Sequence, residues 1–460
     1  MVAISHISSL LLVGQDQYRG LGSPQQAAVD NYLIPRFLGG ASPYTQHPGY
    51  GISTETPEGC TVEQVQLFAR HGARYPTESS SGEMLAVLEK IRALNVTIEG
   101  PLSWLNDYEF FALDEQYYGL ETTPQNSVGP YSGLEDAYNL GFNFRSKYKH
   151  LYESGQVFPV FTSNGERVYE TAENFARGFL NEEYSSETVK YNIFAEALEA
   201  GLNSATVLDA CPAYTEDEFE EAIAQVDTTW IIDLGKRLLA AHPEIELDVD
   251  EVLILFDWCS YETNVRGSSQ MCNVFTSEDF IRYNYYDDIE QYYTASYGNS
   301  MSKTIGSVPV LAGLKLFKEK NNTNKIWVQF THSTDVDLYA AALGLFEPEA
   351  HLPLDRIVFD RSYSHGNLVP MGARYTAELL RDCNGQKYVR HIVNDAVIPL
   401  KTCYSGPGFS CPLEDYEAYL MERLGDKNFI EECETPADVP QELTFFWDWE
   451  TTEYWAELEV

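Results

Sequence analysis

The residues best placed to do chemistry stand together at Arg70-His71-Gly72-Ala73-Arg74-Tyr75-Pro76. Arginine presents a planar fork that matches a pair of phosphate oxygens, and it stays charged at any working pH. A neutral imidazole can attack phosphorus and carry the phosphoryl group for one step. Two guanidiniums beside it would neutralise charge on the equatorial oxygens of the transition state. The plainer reading is a turn with surface arginines and a satisfied histidine. Five fixed residue types at fixed spacing behind a strand weigh against it, so phosphoryl transfer is the chemistry expected.

The strand is legible just upstream. Val65, Leu67 and Ala69 alternate with Gln64 and Gln66, a period of two. It should end at Arg70 and deliver His71 to its carboxyl end, where open α/β sheets place ligands. Gly72 should let the backbone pass close to a ligand, and Pro76 should keep the strand from continuing. Two more strand-to-helix junctions follow. Residues 157–161 run into Thr162-Ser163-Asn164 and then Arg167, after which Val168, Ala172, Phe175 and Phe179 recur at helical spacing. Residues 326–330 run into Thr331-His332-Ser333-Thr334-Asp335, after which Val336, Tyr339, Ala340 and Leu343 do the same. Arg167 therefore stands at a helix N-terminus, a place that favours anions.

Together these residues resemble the histidine acid phosphatase family. The surroundings, from Phe37-Leu38-Gly39-Gly40 to the C-terminal segment, look like its yeast branch of acid phosphatases and phytases. The resemblance implies an α/β fold of the phosphoglycerate-mutase-like type, a mixed sheet flanked by helices with an inserted, mainly helical smaller domain. It implies that His71 is the nucleophile and passes through a phosphohistidine, and that Arg70, Arg74, Arg167 and His332 bind the phosphate. It implies an aspartate after His332 as proton donor to the leaving alcohol. Ser333 stands there instead. A positioned acid is worth ~10²–10⁴-fold in rate, and a serine hydroxyl has far too high a pKa to replace it. Ser333 also suits a helix N-cap. Asp335 is the possible substitute acid, although a first-turn carboxylate is stabilised in its charged form.

The resemblance thus implies an acid phosphomonoester hydrolase, a yeast-type phytase of reduced activity. Its expected partners are a phosphomonoester such as phytate and inorganic phosphate. No cofactor and no metal is expected. Three other readings stand beside it: a catalytically silent secreted phosphate- or phytate-binding protein, a broad-specificity acid phosphatase, and a phosphoryl-transferring mutase.

The composition agrees with an extracellular setting. Lys plus Arg is 30 and Asp plus Glu is 70 in 460 residues, a formal charge of −40. That balance excludes nucleic acid and anionic membrane as partners. No stretch reaches the length of a transmembrane helix. The eight cysteines form no C-x-x-C and suit disulfides in an oxidising compartment. Asn95 and Asn321 open glycosylation sequons. A secreted glycoprotein, extracellular or in the cell wall, is the expectation. The family's chain order implies Cys60 with Cys383, Cys211 with Cys433, Cys259 with Cys272, and Cys403 with Cys411. The apolar run Leu10-Leu11-Leu12-Val13 lacks a charged n-region and a cleavage site, so it is read as mature chain, the signal peptide standing outside these residues.

The expected organisation is an N-terminal arm over 1–40, which either wraps its own domain or reaches a second copy in a homo-oligomer. An α/β domain should comprise 41–78, 156–198 and 303–460, and a helical domain 79–155 and 199–302. Residues 24–31 read as a short helix, 388–400 as a hairpin turning at Asn394-Asp395, and 442–460 as terminal strands.

Overall fold

A computed structural model describes residues 33–93, 95–122, 131–319 and 323–459. Its centre is a mixed sheet in the order β3-β2-β4-β1-β5-β6-β7. The strands are β1 (Cys60–Arg70), β2 (Phe158–Ser163), β3 (Val189–Phe194), β4 (Ile326–Thr331), β5 (Arg374–Asp382), β6 (Lys387–Val393) and β7 (Ala396–Val397). β3, β2, β4 and β1 run parallel, while β5, β6 and β7 continue the sheet antiparallel. β2 and β4 are buried along their whole length, as expected for strands covered on both faces. The β6–β7 turn falls at Asn394-Asp395, both at positive φ; asparagine and aspartate tolerate that conformation best after glycine.

The helices used below are α1 (Glu78–Arg92), α2 (Gly133–Tyr148), α3 (Glu166–Leu180), α4 (Val249–Arg266), α5 (Ser277–Ala295), α6 (Ser302–Lys318), α7 (Ser333–Leu343) and α8 (His365–Leu368). α3 follows β2 and α7 follows β4, each beginning within three residues of its strand. One core cluster joins Val65, Val160 and Val328 of the sheet to Phe175 and Phe179 of α3. Another lies within the helical part, where Met84 and Leu88 of α1 meet Leu255 and Trp258 of α4.

Three expectations change. α2 falls in the 79–155 segment read as helical domain, yet its Phe144 and Tyr148 pack with Phe175 and the sheet. Apolar residues on its inner face decide that placement, and chain position does not. Among the described residues the 442–460 segment forms no terminal strand. Phe445–Asp448 is a helical turn, and Phe445 and Phe446 pack on Phe161. Trp455 and Glu459 then make single bridges to Ile193 and Gly165. Here aromatic packing overrides an alternation that reads as strand. Cys60 and Cys383 are free thiols, whereas Cys211–Cys433, Cys259–Cys272 and Cys403–Cys411 are bonded as the resemblance implies. The β1–β5 register sets Cys60 opposite Asp382, one residue out of step with Cys383. The arm over 1–32, with its helix at 24–31 and its apolar run, lies outside the described residues, as does Asn321; Asn95 is exposed.

Candidate active site

Four parallel strands end on one side of the sheet, and each delivers part of a single site. The register pairs Arg70 with Thr331 and Thr162 with Phe330, so His71, His332 and the start of α3 come out in a row. His71 is held by its backbone on both sides. Its N–H donates to Thr331 O at 3.0 Å, and its own carbonyl accepts from Gly372 N at 2.7 Å.

The imidazole of His71 is 2% exposed. Its Nδ1 lies 2.9 Å from the Gly72 carbonyl oxygen. A carbonyl can only accept, so Nδ1 carries the proton and Nε2 keeps its lone pair. Burial pushes the ring's pKa well below the usual histidine range, and Arg70, Arg167, Arg74 and His332 push it further the same way. A neutral ring with a free Nε2 is the form that can act as a nucleophile in acid.

Around it stand the three arginines. Arg70 is buried and donates from one terminal nitrogen to Gly40 O and Val369 O, each at 2.6 Å. Arg74 donates to Tyr75 O at 2.9 Å and lies over the Tyr261 ring at 5.2 Å. Arg167, in the first turn of α3, has a terminal nitrogen 3.5 Å from His332 Nδ1. The Nε atoms of all three are buried without a hydrogen-bond partner. Among the described residues none of the three meets a carboxylate, while Arg361, Arg374, Arg390 and Arg423 all do. In a chain of net charge −40 three clustered guanidiniums left without acidic partners form a ready anion site. Burial lowers Arg70 to about 9, helped by Arg74 and Arg167. The clustered like charge is thus felt, and an entering dianion would relieve it.

His332 completes the cluster. Its ring stands edge-on to His71 with centroids 5.6 Å apart. Its Nε2 is 2.6 Å from Oε1 of Glu196. Glu196 follows β3 and was not anticipated; the only signal is an acid two residues past a strand end. Burial by itself would raise its pKa, but the hydrogen bond and charge of His332 outweigh that and hold it at about 2.

A second acid lies beneath the site. Glu121 is fully buried and its Oε1 accepts from Gly72 N at 2.6 Å. A Cβ on Gly72 would come within 2.7 Å of that carboxyl. Gly72 is therefore packed tightly against a buried side chain. Outside, a cleft of about 390 Å³ opens beside Arg167, lined by Thr77, Glu78, Ser79, Glu115 and Tyr118.

Ser333 opens α7 directly after His332, and it is His332 that occupies the N-cap position. Asp335 turns away from the cleft. Its Oδ2 accepts from Thr331 Oγ1 at 2.8 Å, and it lines a small interior cavity with Phe68, Ala205, Pro309 and Leu338. Burial raises its pKa to about 8. The expectation of a charged first-turn carboxylate is overturned, because desolvation outweighs the helix end. Among the described residues no cluster of side chains could hold a metal ion, and no helix is long and apolar enough to cross a membrane.

Residues 61–394 match the histidine phosphatase superfamily (branch 2). The chain is 44% identical to a phytase of Candida albicans over the full length of both. It is 37% identical to the constitutive acid phosphatase of Saccharomyces cerevisiae, over 91% of this chain and 90% of that one. The crystal structure of the phytase from D. castellii superposes with a TM-score of 0.91 at 45% identity, over 97% of each chain. On this evidence the chain belongs to branch 2 of the histidine phosphatase superfamily, alongside the yeast acid phosphatases and phytases.

Proposed function

We propose that this chain hydrolyses phosphomonoesters in acid, phytate among them, through a phosphohistidine at Nε2 of His71. The observation that carries the reading is the neutral buried histidine ringed by three arginines without acidic partners. Arg70, Arg74, Arg167 and His332 hold the phosphoryl oxygens. The Nε2 lone pair attacks phosphorus, the P–O ester bond breaks, and the leaving oxygen must gain a proton. Water then attacks, the P–N bond breaks, and phosphate leaves.

Ser333 stands where the resemblance places the proton donor, and its hydroxyl cannot serve. The loss falls on poor leaving groups, because an aryl oxide departs without a proton far more readily than an alkoxide. Activity on p-nitrophenyl phosphate is therefore retained and activity on phytate is weak.

A broad-specificity acid phosphatase is the second reading, favoured by the cleft wall. Beside Arg167 it presents the carboxylates of Glu78 and Glu115, whose like charge disfavours a polyanion. Similarity to two phytases supports phytate as a substrate. Secretion is supported by the three disulfides and the exposed sequon at Asn95.

The test is phosphate release at acid pH from phytate and p-nitrophenyl phosphate, with Ser333→Asp and His71→Ala in parallel. A strong gain for Ser333→Asp on phytate, with little change on the aryl ester, is expected. Turnover surviving in His71→Ala would sink the mechanism. Inactivity of every form on both substrates would leave a phosphate-binding protein.

A further inference from the structure

The grip on Arg70 leads to a buried cluster that the reaction does not itself use. Two carbonyls hold the Arg70 guanidinium, Gly40 O and Val369 O. They come from distant parts of the chain, and both parts meet His365. The Val369 N–H donates to His365 O at 2.8 Å. The Gly40 N–H donates to Asp287 Oδ1 at 3.4 Å, and the other oxygen of Asp287 lies 3.0 Å from His365 Nδ1. The imidazole also fills the space against Gly40, where a Cβ would come within 2.6 Å of His365 Cε1.

The other side of the ring faces α7. His365 Nε2 stands 3.2 Å from Asp337 Oδ2, and Tyr363 donates to Asp337 Oδ1 at 3.2 Å. The His365 N–H donates to Asp288 Oδ1 at 2.7 Å, and Asp288 is in turn paired with Arg361. One side chain, 2% exposed, therefore joins α5, which carries Asp287 and Asp288, to α7, which begins directly after His332.

We propose that His365 is a positioning residue for phosphate binding, setting the Arg70 guanidinium by fixing, through Asp287, the Gly40 carbonyl that grips it. The proposal rests on the reading that Arg70 binds the phosphoryl group. Burial would lower the pKa of His365, but Asp287 and Asp337 hold it up at about 10. The ring is thus charged throughout the acid range. A charge locked between two carboxylates on separate helices resists the rotation that would let the Gly40 turn slide.

A thermodynamic cycle tests this with the whole chain and inorganic phosphate as probe, by calorimetric titration at pH 5. Binding is independent of turnover, so Ser333 does not interfere. His365→Gln is expected to weaken phosphate binding about tenfold, within the range for a hydrogen bond to a charged group. In an Arg70→Met background the same change should cost less than about twofold, and in an Arg167→Met background the full factor, because coupling is confined to linked residues. If His365→Gln fails to fold on thermal melting, Asp287→Asn, which keeps an acceptor for Gly40, takes its place in the cycle. Equal losses in the Arg70→Met and Arg167→Met backgrounds, or no loss in any, overturn the proposal alone. Unchanged binding in Arg70→Met itself overturns the phosphate-site reading and this proposal with it.

Discussion

Glu196 ties two strand ends together: its Oε1 lies 2.6 Å from His332 Nε2 and accepts from Gly165 N at 3.1 Å. Gly165 is the N-cap of α3, whose first turn carries Arg167. One carboxylate past the end of β3 thus joins His332, which follows β4, to the start of the helix that follows β2. It does so from behind, leaving His332 Nδ1 on the side of Arg167.

This pairing has a pH signature. The carboxyl of Glu196 sits at about 2 in the folded chain against an ordinary 4.5. A group depressed on folding stabilises the fold above its unfolded pKa, and the contribution is lost as pH falls through the folded one. Wild type should therefore lose stability between pH 4.5 and 2 more steeply than Glu196→Gln, the two curves converging near pH 2. Thermal melts across that window check it; parallel curves would refute the pairing.

His71 should also stay neutral where most histidines are charged. Burial holds His71 well below its ordinary range, with Arg70, Arg167 and Arg74 adding to it. No loss of kcat/KM on p-nitrophenyl phosphate is expected as pH falls through 6.5, the ordinary value for histidine. Arg74→Met removes one of the charges that lower the pKa, so the acid limb of its profile should move to higher pH, whatever the fall in rate. A limb that moves down, or stays fixed, contradicts this electrostatic account.

Asp335 should prove dispensable for chemistry. It faces Thr331 and an interior cavity, and burial already keeps it protonated in acid. Asparagine is nearly isosteric with the protonated form. Asp335→Asn should hold phytate and aryl phosphate turnover within about twofold, where loss of a true general acid costs ~10²–10⁴-fold. A drop of that larger size on phytate alone would make Asp335 the proton donor after all.

What could be read ahead of the structure follows from locality. The 70–76 run, Arg167 and His332 each sit at a strand end whose periodicity is local, and strand ends converge in an open α/β sheet. Glu196 escaped because its partner is 136 residues away and one acid among 70 Asp and Glu residues carries no mark. Asp335 misled because a helix end argues for charge, and only the packed interior reveals that desolvation is larger. The 442–460 segment misled because its alternation gives no sign that Phe445, Phe446 and Trp449 pack with Phe161 and Trp327 instead. The Cys60–Cys383 pairing came from family order, and a one-residue register offset is invisible in spacing.

The disulfides should rank by the chain they close. Cys211–Cys433 spans 222 residues and Cys259–Cys272 spans 13. If a cross-link acts chiefly by limiting the unfolded chain, the first contributes roughly 5 kcal/mol and the second roughly 3 kcal/mol. Both bonds are buried in apolar clusters, the first with Phe429 and Leu338, the second with Trp258 and Phe275, so packing loss on replacement by alanine is comparable. The Cys211→Ala/Cys433→Ala variant should therefore melt at a lower temperature than Cys259→Ala/Cys272→Ala. Calorimetry on the two double variants decides it. The reverse order would mean that the helical core around α4 depends on its local staple more than the whole chain depends on its long one.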